Sequence, residues 1–365
     1  MKINARIAVL AAAAVLAGGG AAAYADTAAA FSAQGKDSNA GVIVGDAATD
    51  DVVKVTVSAA GDCTLGTDSA FNYSTSLNAK YAQKGPAYFF KNVKPVFSKD
   101  DLTIVNLEGT LTKRGSKADK AFAFKGSPSY TKILTKGSVE AVGFANNHCY
   151  DYGSVSYTDT IKHVKKAGIK LSSYSKTCIY KVKGVKIGMV SVDDIGRYGG
   201  SAKPLIKSGV AKLKKQGADA IIVSIHAGIE KDYYPSAVQK SLAHYAVNQG
   251  ADLVLGHHPH VLQGVERYKG VYICYSLGNF CFGGNSNPAD KDTMIVQKTF
   301  TFKDGKLMKN KAFKVIPCSI SGHSSYNDYQ PTVLSGAGKK RVMAKINKCS
   351  KPFGESFTAA GSARK

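Results

Sequence analysis

Six times along this chain, a run of apolar and β-branched residues stops at a short cluster of Asp, Glu, Asn or His with a glycine close by. The runs cover residues 52–60, 102–105, 141–145, 185–192, 220–225, 253–255 and 271–277; six of them end in the clusters quoted below, and the fourth ends in Asp193-Asp194. Amphipathic stretches of helical length lie between them, at 87–97, 157–167, 204–216 and 236–249. Alternation of this kind argues for an α/β layered fold. Gly168, Gly217 and Gly250 follow three of the helical stretches, where a left-handed C-cap belongs.

The clusters are Gly61-Asp62, Asn106-Leu107-Glu108-Gly109, Asn146-Asn147-His148 with Asp151 and Gly153, His226-Ala227-Gly228 with Glu230, Gly256-His257-His258-Pro259-His260, and Gly278-Asn279-Phe280. Five of the eight histidines fall inside them. An open α/β sheet binds ligands beyond the carboxyl ends of its strands, so groups scattered in sequence converge in space. Convergent Asp, Glu, Asn and His form the ligand set of a borderline divalent ion such as Zn, Mn or Fe. Two such ions ~3.5–4 Å apart clamp a phosphoryl group for in-line attack. One acid or histidine after a strand is more often a turn or cap residue; six coincident clusters are a different matter.

The N-terminus sets the compartment. Lys2 and Arg6 precede an apolar stretch at 7–17, and Ala23-Tyr24-Ala25 forms a small-residue cleavage site. These are the parts of a secretory signal, residues 1–25, removed after Ala25. Residues 26–50, rich in Ala, Gly, Ser and Asp, read as a flexible linker. The mature protein is therefore expected in the cell envelope or outside the cell. Lys and Arg number 49 against 26 acids, a net charge of +23, which implies a polyanionic neighbour. Export makes nucleic acid a poor candidate. Between 160 and 215 there are fourteen Lys or Arg and two acids; this stretch is expected to form a basic surface for an acidic or cell-wall polymer.

The order and number of the clusters resemble the CapA-like family linked to poly-γ-glutamate capsules, within the calcineurin-like metallophosphatase superfamily. The resemblance runs from about Val52 to Phe282. It implies a four-layer αββα sandwich, two mixed sheets flanked by helices. It also implies one or two divalent ions, Mn, Fe or Zn, on Asp62, Glu108, Asn147, His226, His258 and His260, with His257 as the register alternative. His148 resembles the group that protonates the leaving group. Asp151 is placed to orient His148, and Asn106, Glu230, His257 and Asn279 to position substrate or support the ligands. Two positions depart from the superfamily pattern: Thr64 stands where Asp-x-His would place a histidine, and Glu108 where Asp is usual. The implied function is poly-γ-glutamate biosynthesis or export with a phosphoesterase-like hydrolytic site, and membrane-bound capsule synthesis proteins as partners. The alternatives are a non-catalytic scaffold that binds a polyanion and a general secreted phosphoesterase.

The sandwich is expected over 51–289, a C-terminal β extension over 290–347 and a disordered basic tail over 348–365. Within the extension, 294–302 and 307–317 read as a hairpin turning at Asp304-Gly305, and 331–347 as a short helix. The seven cysteines include no Cys-x-x-Cys pair, which argues against a zinc ribbon. Plain buried thiols are expected, with a Cys63–Cys149 bond or a thiolate in the metal shell as alternatives.

Overall fold

The strand runs, rich in Val, Ile and Leu, sort into two mixed sheets in a computed structural model that describes residues 51–195 and 200–364. The secretory signal and linker expected over 1–50 lie outside the described residues. The first sheet orders its strands Thr332–Val333, Phe313–Ser319, Asp292–Lys303, Val52–Thr64, Leu102–Glu108, Ala141–Gly143 and Lys170–Ser172, with Lys306–Met308 paired to the side of Asp292–Lys303. The second runs Val265–Tyr268, Val271–Cys274, Leu253–His257, Ala220–His226, Val185–Asp193 and Cys178–Val182. Four consecutive strands of each sheet are parallel, so their carboxyl ends share an edge.

Side chains alternate between faces along these strands with period two. Val57 and Ile104 pack against Ile187, Ile222 and Leu255 of the other sheet, forming the central core. Val105 and Val142 turn outward to Leu134 and Val164 of the helices Thr131–Lys136 and Gly153–Lys166. On the far side, Val223 and Val254 meet Val210 and Leu213 of Ala202–Lys215 and Leu242 and Ala246 of Ala237–Gln249. Helix, sheet, sheet, helix is the expected four-layer order. The C-cap glycines take φ of +81° at Gly168, +73° at Gly217 and +110° at Gly250, where a Cβ would be strained.

The amino ends of the parallel strands repeat one device. The residue before a strand is an acid whose carboxylate accepts a backbone N–H from the neighbouring strand. Asp101 takes Thr56 N at 2.9 Å, Glu140 takes Thr103 N at 2.8 Å, Asp219 takes Lys186 N at 2.7 Å and Asp252 takes Ile221 N at 2.8 Å. Each clamp satisfies a donor at the sheet's end that would otherwise lack a partner.

Three expectations differ from the structure. The helix expected over 87–97 is confined to Lys94–Phe97, because Phe89 and Phe90 are both fully buried. Adjacent residues on a helix point 100° apart; turns closed by Val93 N to Phe90 O and Lys94 N to Phe90 O let both rings point inward. The segment after 290 is no extension. Asp292–Lys303 lies inside the first sheet, antiparallel to Val52–Thr64 over eight residue pairs, although the turn at Asp304 and Gly305 has the expected positive φ. Nor is 348–365 disordered through its described residues. The helix Gly336–Ser350 sends Val342, Met343 and Ile346 into the inter-sheet core. Phe357 follows them with no exposed surface, its backbone held at both polar atoms by the Asn347 side chain. One buried phenylalanine contributes roughly 1.5–3 kcal/mol, enough to order a short tail.

Candidate metal centre

The carboxyl ends of the parallel strands bring the sequence clusters to one place. Gly61 lets the first strand pass the chain at Gly278: a Cβ there would sit 1.8 Å from the Gly278 carbonyl oxygen. Asp62 N instead donates to that oxygen at 2.9 Å. Across the site, His258 and His260 have φ of +98° and +57°. A bulky residue in the left-handed region is a strained conformation that the surroundings must hold in place.

Asp62 is fully buried and surrounded by donors. Its Oδ1 takes Asn106 Nδ2 at 2.9 Å and lies 3.1 Å from His257 Nδ1, and its Oδ2 lies 3.3 Å from His260 Nδ1. Glu108, 1% exposed, is different: neither carboxylate oxygen has a hydrogen-bond partner. Oε1 instead lies 3.6 Å from His260 Nε2 and 3.7 Å from His148 Nε2. His258 Nδ1 and the Thr64 hydroxyl are likewise buried without partners.

Among the described residues two sets of three donors, the atoms of each set mutually within 4.8 Å, share His260: Asp62, Glu108 and His260, and Glu230, His258 and His260. Glu230, read from sequence as a substrate residue, thus lies within ligating reach. Asn147 and His226 face each other, Oδ1 to Nε2 at 3.0 Å. His257 turns away from the shared position, toward Asp62 and Ser224. Asn279 Oδ1 meets His260 Nδ1 at 2.9 Å. Asn106 links Asp62 to Asn146, whose side chain also accepts His148 N.

The electrostatics favour positive charge at this position. Burial pushes the Glu108 carboxyl up to about 8, with His260 pulling against it. Burial also disfavours charge on Asp62, but hydrogen bonds from His257 and His260 hold its carboxyl well below the usual carboxylate range. For His260 burial opposes protonation, yet Glu108 and Asp62 raise it to about 10. His260 is thus drawn on to balance two buried acids, a task a divalent cation performs better. Orphaned carboxylate oxygens, an orphaned imidazole nitrogen and an oxygen–nitrogen donor set together fit a divalent ion.

His148 stands beside this floor. Its Nδ1 is 2.7 Å from Asp151 Oδ2, leaving Nε2 directed toward Glu108 and a cleft of about 1540 Å³. The sequence reading missed Lys120, whose Nζ reaches Asp151 Oδ1 at 2.8 Å, Asn147 O at 3.0 Å and His148 Nδ1 at 3.3 Å. Lys120 belongs to a loop segment with no strand or helix periodicity. The only trace of its role is basic residues at intervals of three, Arg114, Lys117 and Lys120. Cys63 and Cys149 are free buried thiols in the helix-side core. Cys63 follows Asp62 on one strand and so points to the opposite face, and burial pushes its thiol up.

Residues 43–284 match the family described as bacterial capsule synthesis protein PGA_cap. The PGA biosynthesis protein CapA of Bacillus subtilis (strain 168) is 35% identical over 220 residues, 55% of this chain and 58% of that protein. The capsule biosynthesis protein CapA of Bacillus anthracis is 30% identical over 320 residues, 81% and 73% of the two chains. A probable polyglutamine synthesis accessory protein of Mycobacterium tuberculosis is 27% identical over 208 residues, 49% and 55%. The chain thus spans somewhat over half the length of the first and third of these relatives. Among solved structures, a purple acid phosphatase from yellow lupin (Lupinus luteus) seeds overlaps 78% of this chain and 54% of its own at 11% identity. Its TM-score is 0.35, so the strand order above, rather than this neighbour, carries the fold assignment. With more than half of its residues matched and a relative 30% identical over most of both sequences, the chain belongs to the bacterial capsule synthesis protein family PGA_cap.

Proposed function

We propose that this chain is an extracytoplasmic protein of poly-γ-glutamate capsule biosynthesis or export, with a metal-dependent hydrolytic site of phosphoesterase type on the floor of its cleft. The observation that carries the hydrolytic part is Glu108, a carboxylate buried with both oxygens free of protein partners and within 4 Å of two histidines. The capsule part rests on the family and on the printed names of its relatives.

In this reading Asp62, Glu108, His258, His260 and Glu230, with Asn147 and His226 alongside, hold one or two ions of Mn, Fe or Zn. A divalent ion supplies Lewis acidity toward a phosphoryl oxygen. The protein's own groups do the rest. Asp151 accepts the proton on His148 Nδ1, which fixes the tautomer and presents Nε2 to the cleft. With Nδ1–H retained, Nε2 carries a proton only in the imidazolium form; from that form it gives the proton to the departing oxygen and returns to the neutral Nδ1–H tautomer, while Lys120 keeps Asp151 from rotating away. Asn279 and Asn106 orient His260 and Asp62. Outside the cleft, the lysines of Gly153–Lys166 and Ala202–Lys215 offer charge to an anionic polymer or to membrane-bound synthesis proteins.

The test is metal analysis by mass spectrometry on the purified mature protein, followed by a phosphoester screen of the wild type and His148→Ala. Stoichiometric metal in both, with turnover lost only in the variant, supports the reading. Metal without turnover on any phosphoester leaves a polymer-binding scaffold on this fold. Retention on a polyglutamate column that survives high salt would sink the electrostatic part.

A further inference from the structure

The cleft wall on the His148 side is aromatic. The Phe124 ring lies 4.5 Å from the His148 ring, and the Phe122 ring is nearly parallel to Phe124, 11° and 6.5 Å away. Phe71 continues the row, 6.1 Å from Phe122. On the other side of the floor, Phe282 lies 5.6 Å from His260. Between the two walls sits Gly284, where a Cβ would come within 2.6 Å of the Phe282 ring tip and 3.0 Å of that of Phe124. A glycine there keeps the groove between the rings open.

Folding does not account for Phe122, which is 53% exposed. The segment that carries it is already tied down by three ion pairs: Arg114 with Asp159 at 2.6 Å, Lys117 with Asp68 at 2.8 Å and Lys120 with Asp151 at 2.8 Å. Asp68 and Asp151 also accept the N–H groups of Ala123 and Phe124. A ring that costs exposed apolar surface, on a segment anchored without it, lines the cleft one ring beyond Phe124, which itself lies against His148.

We propose that Phe71, Phe122 and Phe124 form the leaving-group subsite, and that the preferred substrates are phosphoesters whose leaving group carries a flat or apolar ring. The proposal rests on the phosphoester reading of the floor. Whatever His148 Nε2 protonates departs along the His148 side, and the first surface it meets there is the Phe124–Phe122 row. A small alkyl group leaves that row in contact with water, whereas a ring stacks on it and buries both surfaces.

The test uses the mature protein loaded with Mn, titrated calorimetrically with phenylphosphonate and with methylphosphonate. In parallel, kcat/KM is compared for benzyl and ethyl phosphate, two esters of alcohols of similar acidity. The expected result is about tenfold tighter binding of the phenyl compound and a matching benzyl preference. Both preferences should fall to near parity in Phe122→Ala, with metal content and melting temperature retained. Equal affinity for the two phosphonates, or a preference that survives Phe122→Ala, overturns the subsite while leaving the phosphoester reading in place. If neither phosphonate binds the loaded protein, the phosphoester reading falls and takes the subsite with it.

Discussion

The two ends of the same parallel strands carry carboxylates and use them in opposite ways. At the amino ends, Asp101, Glu140, Asp219 and Asp252 each accept a backbone N–H from the neighbouring strand. At the carboxyl ends, Asp62 is ringed by side-chain donors and Glu108 accepts nothing. Residue type does not separate the two sets. Burial does, since Asp62 and Glu108 are buried while Asp101, Glu140 and Asp252 are half-buried and Asp219 is exposed, and so does the partner: backbone N–H groups at the amino ends, side-chain donors or none at the carboxyl ends. A carboxylate that completes a sheet's hydrogen bonding is structural, whereas a buried one left with free lone pairs beside other ligand-type side chains is held for a cation.

Exchanging the roles tests this contrast most sharply. Glu108→Gln should abolish metal binding, read by mass spectrometry, yet make the metal-free protein more stable to urea by about 1–3 kcal/mol, because an unpartnered buried carboxylate is neutralised. A metal-free variant less stable than wild type would show that Glu108 serves the fold. Asp252→Ala should do the reverse. It orphans the buried Ile221 N–H, costs about 1–3 kcal/mol and leaves metal content unchanged.

A smaller effect belongs to Lys120, which ties the cleft's basic segment to the His148–Asp151 pair. Lys120→Ala should retain metal and reduce turnover about tenfold, part of the span ascribed to a positioned proton donor. Loss of metal in that variant would move Lys120 from positioning to holding the site together.

The smallest effect is a slope with pH. Burial raises the Glu140 carboxyl to about 7 and that of Asp252 to about 6. Between the ordinary carboxylate range and those values the folded state binds more protons than the unfolded state, so stability falls as pH rises and then levels off. The contribution is fully present below about pH 4 and lost by about pH 7. Melting temperatures of wild type and Glu140→Gln across this window should converge at low pH and separate toward neutrality, with the variant the higher. Parallel curves would mean that Glu140 titrates normally.

Much of this arrangement was legible because it is local. Val57, Ile104 and Ile222 stand in apolar, β-branched runs, and Gly168, Gly217 and Gly250 follow amphipathic stretches; both patterns depend on nearest-neighbour geometry. The clamps were legible in principle, since an acid precedes each strand at 101, 140, 219 and 252, but an acid before a strand also reads as an ordinary turn residue. The internal position of Asp292–Lys303 was not legible. Its partner, Val52–Thr64, lies more than 200 residues away, and no local pattern distinguishes an interior strand from an added hairpin.

In the site itself, residue identity came from sequence and orientation from the fold. Asp62, Glu108, His148 and the run from His257 to His260 announce themselves as clustered ligand types after strands. Which of three nearby histidines turns from the shared position, and how Glu230 and Lys120 reach in from loops, depends on left-handed backbone at His258 and His260 and on the ion pair of Lys120 with Asp151. Those are outcomes of long-range packing. Sequence alone therefore determined the strands, their end residues and the family they resemble. Only the tertiary structure decided which lone pairs the fold uses and which it leaves free, because hydrogen-bond satisfaction is a property of neighbours in space.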